Sequence, residues 1–247
     1  MADLLNVEHL SVSFFTPAGE VQAVRDVSFS LKAGEVLAIV GESGCGKSVL
    51  CKSILRLLPQ TAKIKSGKII VDGTDITAYR EREMTVLRGS LFSMVFQDHR
   101  LFPHLTVRGN LTLAEKWGGR KARVALEDVA RFFEITPFLD RKPGTLSGGE
   151  SQRVSLARGV MAVDSLLILD EALASLDPPR KARLLEQIAA LPTLIDVPVL
   201  MITHSPSEAL QVSEKAIGLS KGRIAATGDT RSVLASCAFL KEEGNNA

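Results

Sequence analysis

A glycine-rich segment has the residue types and spacing of a phosphate-binding loop. It runs from Gly41 to Ser48 and lies between the apolar run Val36–Val40 and an amphipathic stretch. Glycines let backbone N–H groups wrap closely around phosphate oxygens, and a helix beginning at the loop adds its positive end. Lys47 would reach the β- and γ-phosphates, and the Ser48 hydroxyl would bind Mg²⁺. The residues predicted to surround the nucleotide here are Gly41, Glu42, Ser43, Gly44, Cys45, Gly46, Lys47, Ser48 and Val49.

Two acidic residues follow a second apolar run, Leu166–Leu169. In parallel α/β sheets, ligands bind at the carboxyl ends of strands, where these side chains would lie. We expect Asp170 to hold Mg²⁺ and Glu171 to orient the attacking water as a general base. A strand that ends in solvated acids is common, so this interpretation depends on the phosphate loop.

A third segment, Leu146–Arg153, contains a serine and two glycines at a predicted helix start. Free N–H groups and the helix dipole would make it a second anion site, whereas the plainer alternative is an ordinary serine cap. A nucleotide has only one triphosphate. Either the chain folds both helix starts onto one ligand, or a second copy supplies one of them.

The surrounding pattern indicates a parallel α/β core. Leu4–Phe15 and Val21–Leu31 alternate apolar and polar residues around a turn, which predicts an antiparallel pair. Further strands and helices then alternate. The remaining predicted strands are Glu35–Val40, Gly67–Gly73, Leu91–Phe96, Leu166–Leu169 and Val197–Thr203, and the helices are Lys47–Leu58, Val107–Lys116, Lys121–Phe133, one from Gly149 to about Val163, and Pro178–Leu191.

Composition excludes several classes of protein. The 247 residues include no run of about 18 apolar residues, so the chain is not expected to span a membrane alone. No secretory signal is visible at the amino terminus. A net charge of +2 and 5% aromatic residues give no support for a nucleic-acid-binding face. Three cysteines without a metal-binding spacing predict reduced thiols.

Together, these motifs resemble the nucleotide-binding subunit of ATP-binding cassette (ABC) transporters. The resemblance extends from about Leu4 to Leu234 and includes a Walker A loop, a Walker B strand and a signature motif at Leu146–Glu150. It implies an α/β fold with a P-loop NTPase (RecA-like) core, an N-terminal antiparallel β-subdomain and an inserted α-helical subdomain at about residues 98–163. The chain would then be a single cassette over residues 1–240, with a polar tail at 241–247.

The resemblance also assigns roles to residues outside the first three motifs. Gln97 matches the Q-loop glutamine, which senses Mg²⁺ and the γ-phosphate, and His204 matches the switch histidine. Phe14, with Phe15 as its competitor, matches the aromatic that stacks on adenine. Asp177 matches the D-loop at the dimer interface. The implied catalytic residues are Glu171, His204, Gln97 and Lys47, the Mg²⁺ ligands are Ser48, Gln97 and Asp170, and the signature residues on ATP are Ser147, Gly148, Gly149 and Glu150.

One departure from the family pattern follows the Walker B motif. The family usually has proline after the glutamate, and this chain has Ala172. Proline would stiffen the turn by fixing φ. We therefore expect an altered rate or dimer closure, with catalysis retained.

The resemblance implies a complex of several subunits. Two cassettes would face head to tail and sandwich two ATP molecules, so that ATP closes the dimer and hydrolysis releases it. Transmembrane permease subunits would dock at His99–Leu105, whose apolar Leu101, Phe102 and Leu105 could instead pack within the helical subdomain. An extracytoplasmic solute-binding protein would complete an importer, and the chain would lie at the cytoplasmic face of the inner membrane.

The transported solute is left open by the sequence. The first half resembles cassettes of peptide and nickel importers, and the second half resembles those of molybdate-type importers. Uptake is the favoured function. The alternatives are the motor of an exporter or lipid-extraction system, and a soluble cassette ATPase on a non-membrane scaffold of the iron–sulfur assembly type.

Overall fold

Two β-sheets organise the chain. The structure, a computed structural model, describes residues 3–96, 101–117, 124–173 and 176–237. Its strands are β1 (Asp3–Thr16), β2 (Gly19–Lys32), β3 (Val36–Val40), β4 (Ala62–Val71), β5 (Thr74–Asp75), β6 (Phe92–Phe96), β7 (Leu166–Asp170), β8 (Val199–Thr203), β9 (Lys215–Ser220) and β10 (Arg223–Asp229). Its α-helices are α1 (Lys47–Ile54), α2 (Glu81–Ser90), α3 (Val107–Trp117), α4 (Leu126–Phe132), α5 (Gly148–Ala162), α6 (Pro178–Leu194), α7 (Pro206–Val212) and α8 (Thr230–Ser236).

The first sheet is antiparallel and has the strand order β2-β1-β4-β5. Its inward side chains, among them Val7, Leu10 and Val27, are fully buried. They share one core cluster with Ile39 of β3 and Leu50 of α1. Because this cluster includes residues from both sheets, the first sheet packs against the phosphate-loop segment.

The second sheet has the order β10-β9-β3-β8-β7-β6. Strands β9, β3, β8, β7 and β6 are parallel, and β10 forms an antiparallel edge. The register places Val40 beside Thr203, Ile202 beside Asp170, and Asp170 beside Phe96. The carboxyl ends of four strands therefore meet along one edge of the sheet, which is where ligands bind in such folds.

The helical part of the core is built mainly on α5. This helix packs on α3, α4 and β6, and its buried residues join Phe133 and Leu111 in a second core cluster. Gly159 allows α5 to approach the sheet, because a Cβ at this position would lie 2.6 Å from Cγ2 of Val95. The predicted α/β architecture with a mainly parallel core sheet and an N-terminal antiparallel sheet is confirmed.

Helices α1 and α6 end several residues away from the ends that the sequence pattern predicts. The pattern predicts a helix to Leu58, whereas α1 ends at Ile54 and Arg56 adopts a positive φ of 53°. The guanidinium of Arg88 explains this end: it donates hydrogen bonds to the carbonyl oxygens of Leu55 at 2.8 Å and of Arg56 at 3.0 Å. Arg88 belongs to α2, a helix that the pattern does not predict.

At its other end, α6 continues past the predicted stop at Leu191 and includes Pro192. Proline removes only one helical donor here, and the N–H of Ile195 still reaches the carbonyl oxygen of Leu191 at 2.9 Å. Within the described ranges, no helix is both long and apolar enough to cross a bilayer.

The close packing of α5 on β6 leads to a prediction about the free energy of unfolding. Gly159→Ala places a methyl group against Val95 and should lower the free energy of unfolding by about 1–3 kcal/mol. Gly144→Ala is the matched control, because its Cβ would meet open space and the glycine has no positive φ. Urea unfolding of both variants measures the difference. Equal stability of the two would show that α5 can shift without cost.

Candidate functional site

The phosphate loop requires glycine at two positions for steric reasons. Gly46 has a φ of 109°, and a Cβ there would lie 2.4 Å from the carbonyl oxygen of Ala23. At Gly41, a Cβ would lie 2.3 Å from the carbonyl oxygen of Leu219. The loop is thus pressed against β2 on one side and β9 on the other. Its backbone N–H groups precede α1 directly, as a phosphate site demands.

Lys47 places a positive charge inside this loop. Only 4% of the residue is exposed, and its ammonium donates hydrogen bonds to the carbonyl oxygens of Gly41 at 2.6 Å and of Glu42 at 2.8 Å. Uncharged oxygens solvate the ammonium without neutralising it. The loop therefore presents a fixed cation to an anionic ligand.

A hydrogen bond joins the loop to the acidic strand end. The hydroxyl of Ser48 donates to Oδ1 of Asp170 at 3.1 Å. Burial raises the pKa of Asp170, the bond from Ser48 opposes that rise, and the nearby charge of Glu171 adds to it. A cation between Ser48 and Asp170 would reverse this balance and favour the carboxylate.

Glu171 and His204 extend the acidic edge across the neighbouring strand. Oε1 of Glu171 lies 3.6 Å from Nδ1 of His204. Glu171 itself has a positive φ of 49°, and its N–H donates to the carbonyl oxygen of Ile202 at 3.1 Å. A positive φ is uncommon for a residue with a side chain, and the bond to the neighbouring strand helps to hold the backbone of Glu171 in it. Ala172, where the family usually has proline, follows and is buried.

Lys47, Ser48, Asp170 and Glu171 line one cavity of about 410 Å³, which is large enough for the phosphates of a nucleotide, whereas Gly41 and His204 are not among its lining residues. The cavity brings together the loop and the acidic edge of the sheet. Its lining residues are Ala23, Ser43, Gly44, Gly46, Lys47, Ser48, Val49, Phe96, Asp170 and Glu171. Gln97 follows Phe96 and lies outside the described residues, so its predicted role stays a prediction.

The signature segment forms the predicted helix start but does not line this cavity. Ser147 caps α5 by accepting the N–H of Glu150 at 3.3 Å, and Glu150 accepts the N–H of Ser147 at 2.7 Å. The bond from the Ser147 backbone is the main cause that lowers the pKa of Glu150. Ser147 and Gly148 are exposed, while Gly149 is buried beside Arg180. Within the described residues, the second candidate anion site, at the start of α5, therefore lies apart from the cavity of the phosphate loop.

Phe14 and Asp177 also lie outside the cavity lining. Phe14 is half-buried on β1, whereas its competitor Phe15 is 39% exposed, with the ammonium of Lys65 5.3 Å from its ring centroid. Asp177 lies at the N-cap position of α6 without a side-chain capping bond, and its carboxylate pairs with Arg180 at 3.3 Å. The adenine-stacking and interface roles of these residues stay predictions.

Ala23 is a lining residue that no motif indicates. Val12 pairs with Val24 and Ser13 pairs with Gln22, so a bulge in the β1–β2 ladder leaves Ala23 without a partner. The bulge brings its backbone against Gly46 of the loop. Residue spacing alone carried no signal for this contact, because the bulge is visible only in the pairing of two strands.

Comparison with known proteins agrees with this geometry. The family profile described as "ABC transporter" matches residues 24–174. The dipeptide transport ATP-binding protein DppD of Bacillus subtilis is 37% identical over 94% of this chain and 72% of its own length. The molybdenum import ATP-binding protein ModC of Rhizobium meliloti is 38% identical over 87% of this chain, and the chain spans only 61% of that relative.

A shorter relative and a solved structure complete the comparison. The thiamine import ATP-binding protein ThiQ of Photobacterium profundum is 38% identical, with 84% of each chain covered. A solved dimer of the ATP-binding cassette MJ0796 bound to ADP and Pi superposes with a TM-score of 0.78 at 25% identity, covering 92% of this chain and 99% of that one. The resemblance to importer-type cassettes is confirmed.

The buried ammonium of Lys47 leads to a prediction about ATP affinity. Lys47→Ala removes the fixed cation of the loop and should weaken ATP binding by at least about tenfold. Lys68→Ala is the control, since it removes the same charge at an exposed position on β4 that does not line the cavity. Calorimetric titration with ATP measures both. Equal affinity of the two variants would contradict the role given to Lys47.

Proposed function

This chain belongs to the ABC transporter family, and from that premise we propose that it is the ATP-hydrolysing subunit that powers solute uptake through membrane partners. The observation that carries the proposal is the joining of the phosphate loop to the acidic strand end by the Ser48–Asp170 bond. Lys47, proposed to bind the phosphates, and Glu171, proposed as the general base, line the same cavity as this bond.

ATP binding uses the loop and the start of α1. The N–H groups of the loop and the ammonium of Lys47 meet the phosphates, where their charges are complementary. Ser48 and Asp170 fit Mg²⁺, because they offer hard oxygen donors 3.1 Å apart and because Mg²⁺ takes few protein ligands beside phosphate and water. The ion would neutralise charge on the phosphates. Gln97 is the third proposed ligand.

Hydrolysis depends on positioning and on charge stabilisation. Glu171 orients the attacking water and accepts its proton, and His204, at 3.6 Å from this carboxylate, contacts the γ-phosphate. The neighbouring strand fixes the backbone of Glu171 through Ile202. Lys47 and Gln97 complete the proposed catalytic set.

A second cassette completes each ATP site. Ser147, Gly148, Gly149 and Glu150 lie apart from the cavity of their own chain, and the solved relative is described as a dimer. In a head-to-tail pair, the start of α5 from one copy would meet the ATP held by the other. Phe14 would stack on adenine, and Asp177 would lie at the interface. Closure then depends on the γ-phosphate, and hydrolysis opens the pair.

A second cavity of about 300 Å³ lies between α3, α5 and β6 and is the proposed docking site for a permease. Phe102 lines it and is pinned by Asn110, which accepts its N–H at 2.8 Å and donates to its carbonyl oxygen at 3.1 Å. Leu101 packs against the core, while Leu105 is half-buried. His99 lies outside the described residues. A fixed, partly apolar rim suits a helix of a partner protein.

The wider setting follows from the relatives. DppD, ModC and ThiQ are named as transport or import proteins, which favours uptake over export or a non-membrane scaffold. We place the chain peripherally at the cytoplasmic face of the inner membrane, with an extracytoplasmic solute-binding protein as a further partner. We also propose that the cassette covers residues 1–240 with its helical subdomain at about 98–163, and the predicted polar tail at 241–247 lies outside the described residues.

Removing the general base tests the proposed chemistry. Glu171→Gln keeps the size of the side chain but cannot accept a proton, so phosphate release should fall by about 10²–10⁴-fold. ATP should then hold the variant as a dimer in size-exclusion chromatography. Glu186→Gln, at an exposed position on α6, is the matched control and should behave as wild type. Turnover by Glu171→Gln at the rate of the control would reject Glu171 as the base.

A further inference from the structure

A buried carboxylate outside the nucleotide cavity connects two parts of the site. Glu208 lies on α7 and is 6% exposed. Its Oε1 receives a hydrogen bond from the ammonium of Lys181 at 2.9 Å, and its Oε2 accepts the hydroxyl proton of Thr203. Lys181 belongs to α6 and Thr203 ends β8. One carboxylate thus joins two helices and a strand.

Thr203 passes this restraint to the residue that follows it. Its hydroxyl donates to Glu208 and also accepts the N–H of Ser205 at 3.0 Å. His204 lies between Thr203 and Ser205, so the backbone on both sides of the histidine is fixed by one hydroxyl. The side chain of His204 is about half-exposed, and Nδ1 of its ring lies 3.6 Å from the Glu171 carboxylate. The position of the His204 backbone therefore restricts where the ring can lie.

The same carboxylate reaches the start of α6. Lys181 lies one turn after Asp177, and its N–H donates to the carbonyl oxygen of Asp177 at 3.0 Å. A shift of this helix start would therefore pull on Glu208 through the ammonium of Lys181. The bonds form an unbroken path from Asp177 to His204.

The charges on this path are costly to keep for stability alone. Glu208 is buried while Lys181 is partly exposed, so the carboxylate has lost most of its hydration, and apolar residues of similar volume often stabilise a fold as well as or better than a buried charge. The ionised carboxylate, however, can accept from the ammonium and the hydroxyl at once, in a fixed geometry. What the pair provides is a defined position for Thr203.

We infer that Glu208 is a positioning residue for His204, and that Lys181 and Thr203 couple the start of α6 to the histidine through it. The inference rests on the proposed function, because it gives His204 its role in hydrolysis. Glu208 touches no nucleotide-binding residue of the cavity lining.

Kinetics of single variants give the first test. Glu208→Gln weakens the link to Lys181, so kcat for ATP hydrolysis should fall by about 10–100-fold, the loss expected for a displaced catalytic group. KM for ATP should change by less than about twofold, since the phosphate loop is untouched. Thr203→Val should reproduce the loss, and Thr203→Ser, which keeps the hydroxyl, should restore most of kcat. A rise in KM with unchanged kcat would overturn the inference.

A distant ion pair is the matched control. Lys215 and Glu35 approach within 2.6 Å at the amino ends of β9 and β3, on the edge of the sheet opposite the cavity. Glu35→Gln removes the same kind of contact and should leave kcat unchanged. An equal loss of kcat in Glu35→Gln and Glu208→Gln would show a general loss of stability and would overturn the positioning role.

The His204→Ala background separates positioning from a structural effect. If Glu208 acts through the histidine, Glu208→Gln should cost nothing further once His204 is removed. An equal fold-loss in both backgrounds would overturn the inference, because it would show that Glu208 acts independently of His204.

Imidazole NMR adds a readout that does not depend on activity. The chain has four histidines, and comparison with His204→Ala identifies the signal of His204. Glu208→Gln should shift that signal and leave the other three in place. If wild type hydrolyses no ATP and the signal still shifts, the proposed function fails while the positioning role stands. An unshifted His204 signal overturns the positioning role whatever the activity.

Discussion

The hydrogen bond between Ser48 and Asp170 is the contact on which the site depends. It spans 122 residues of sequence and ties the start of α1 to the end of β7. Asp170 is half-buried, and a partly desolvated carboxylate without a partner is costly, so the hydroxyl also stabilises the strand end. The sheet order then positions His204, because β8 lies between β3 and β7 and brings this histidine beside Glu171.

Opposite charges are kept apart within this small volume. The ammonium of Lys47 is held by loop carbonyls on one side, and Asp170 and Glu171 stand on the other. The charge of Glu171 helps to raise the pKa of Asp170, so the two carboxylates carry mutual repulsion. A triphosphate with Mg²⁺ relieves both imbalances at once, since it brings anions to the lysine and a cation to the carboxylates. In the proposed function, this electrostatic complementarity is what would let the nucleotide control closure of a cassette pair.

The motifs that act through local spacing could be predicted from the sequence. The loop, the acidic strand end and the parallel core all follow from short-range patterns, and the fold that they indicate is the one observed. The end of α1, by contrast, is set by Arg88 from another helix, and Ala23 enters the site through a bulge. The link from Lys181 through Glu208 to Thr203 is equally invisible in sequence, because residues on α6, α7 and β8 meet only after folding.

The central claim is that one chain supplies only half of each ATP site, and mixing two inactive variants tests it most directly. Lys47→Ala removes the cation that binds phosphate in the loop half of the site. Ser147→Arg blocks the start of α5, which forms the other half. Each variant alone should show background ATPase activity. A 1:1 mixture should recover about a quarter of wild-type activity, because half of the random pairs contain one intact site out of two. If Ser147→Arg alone matches wild type, or if mixing restores nothing, the two-chain site is contradicted.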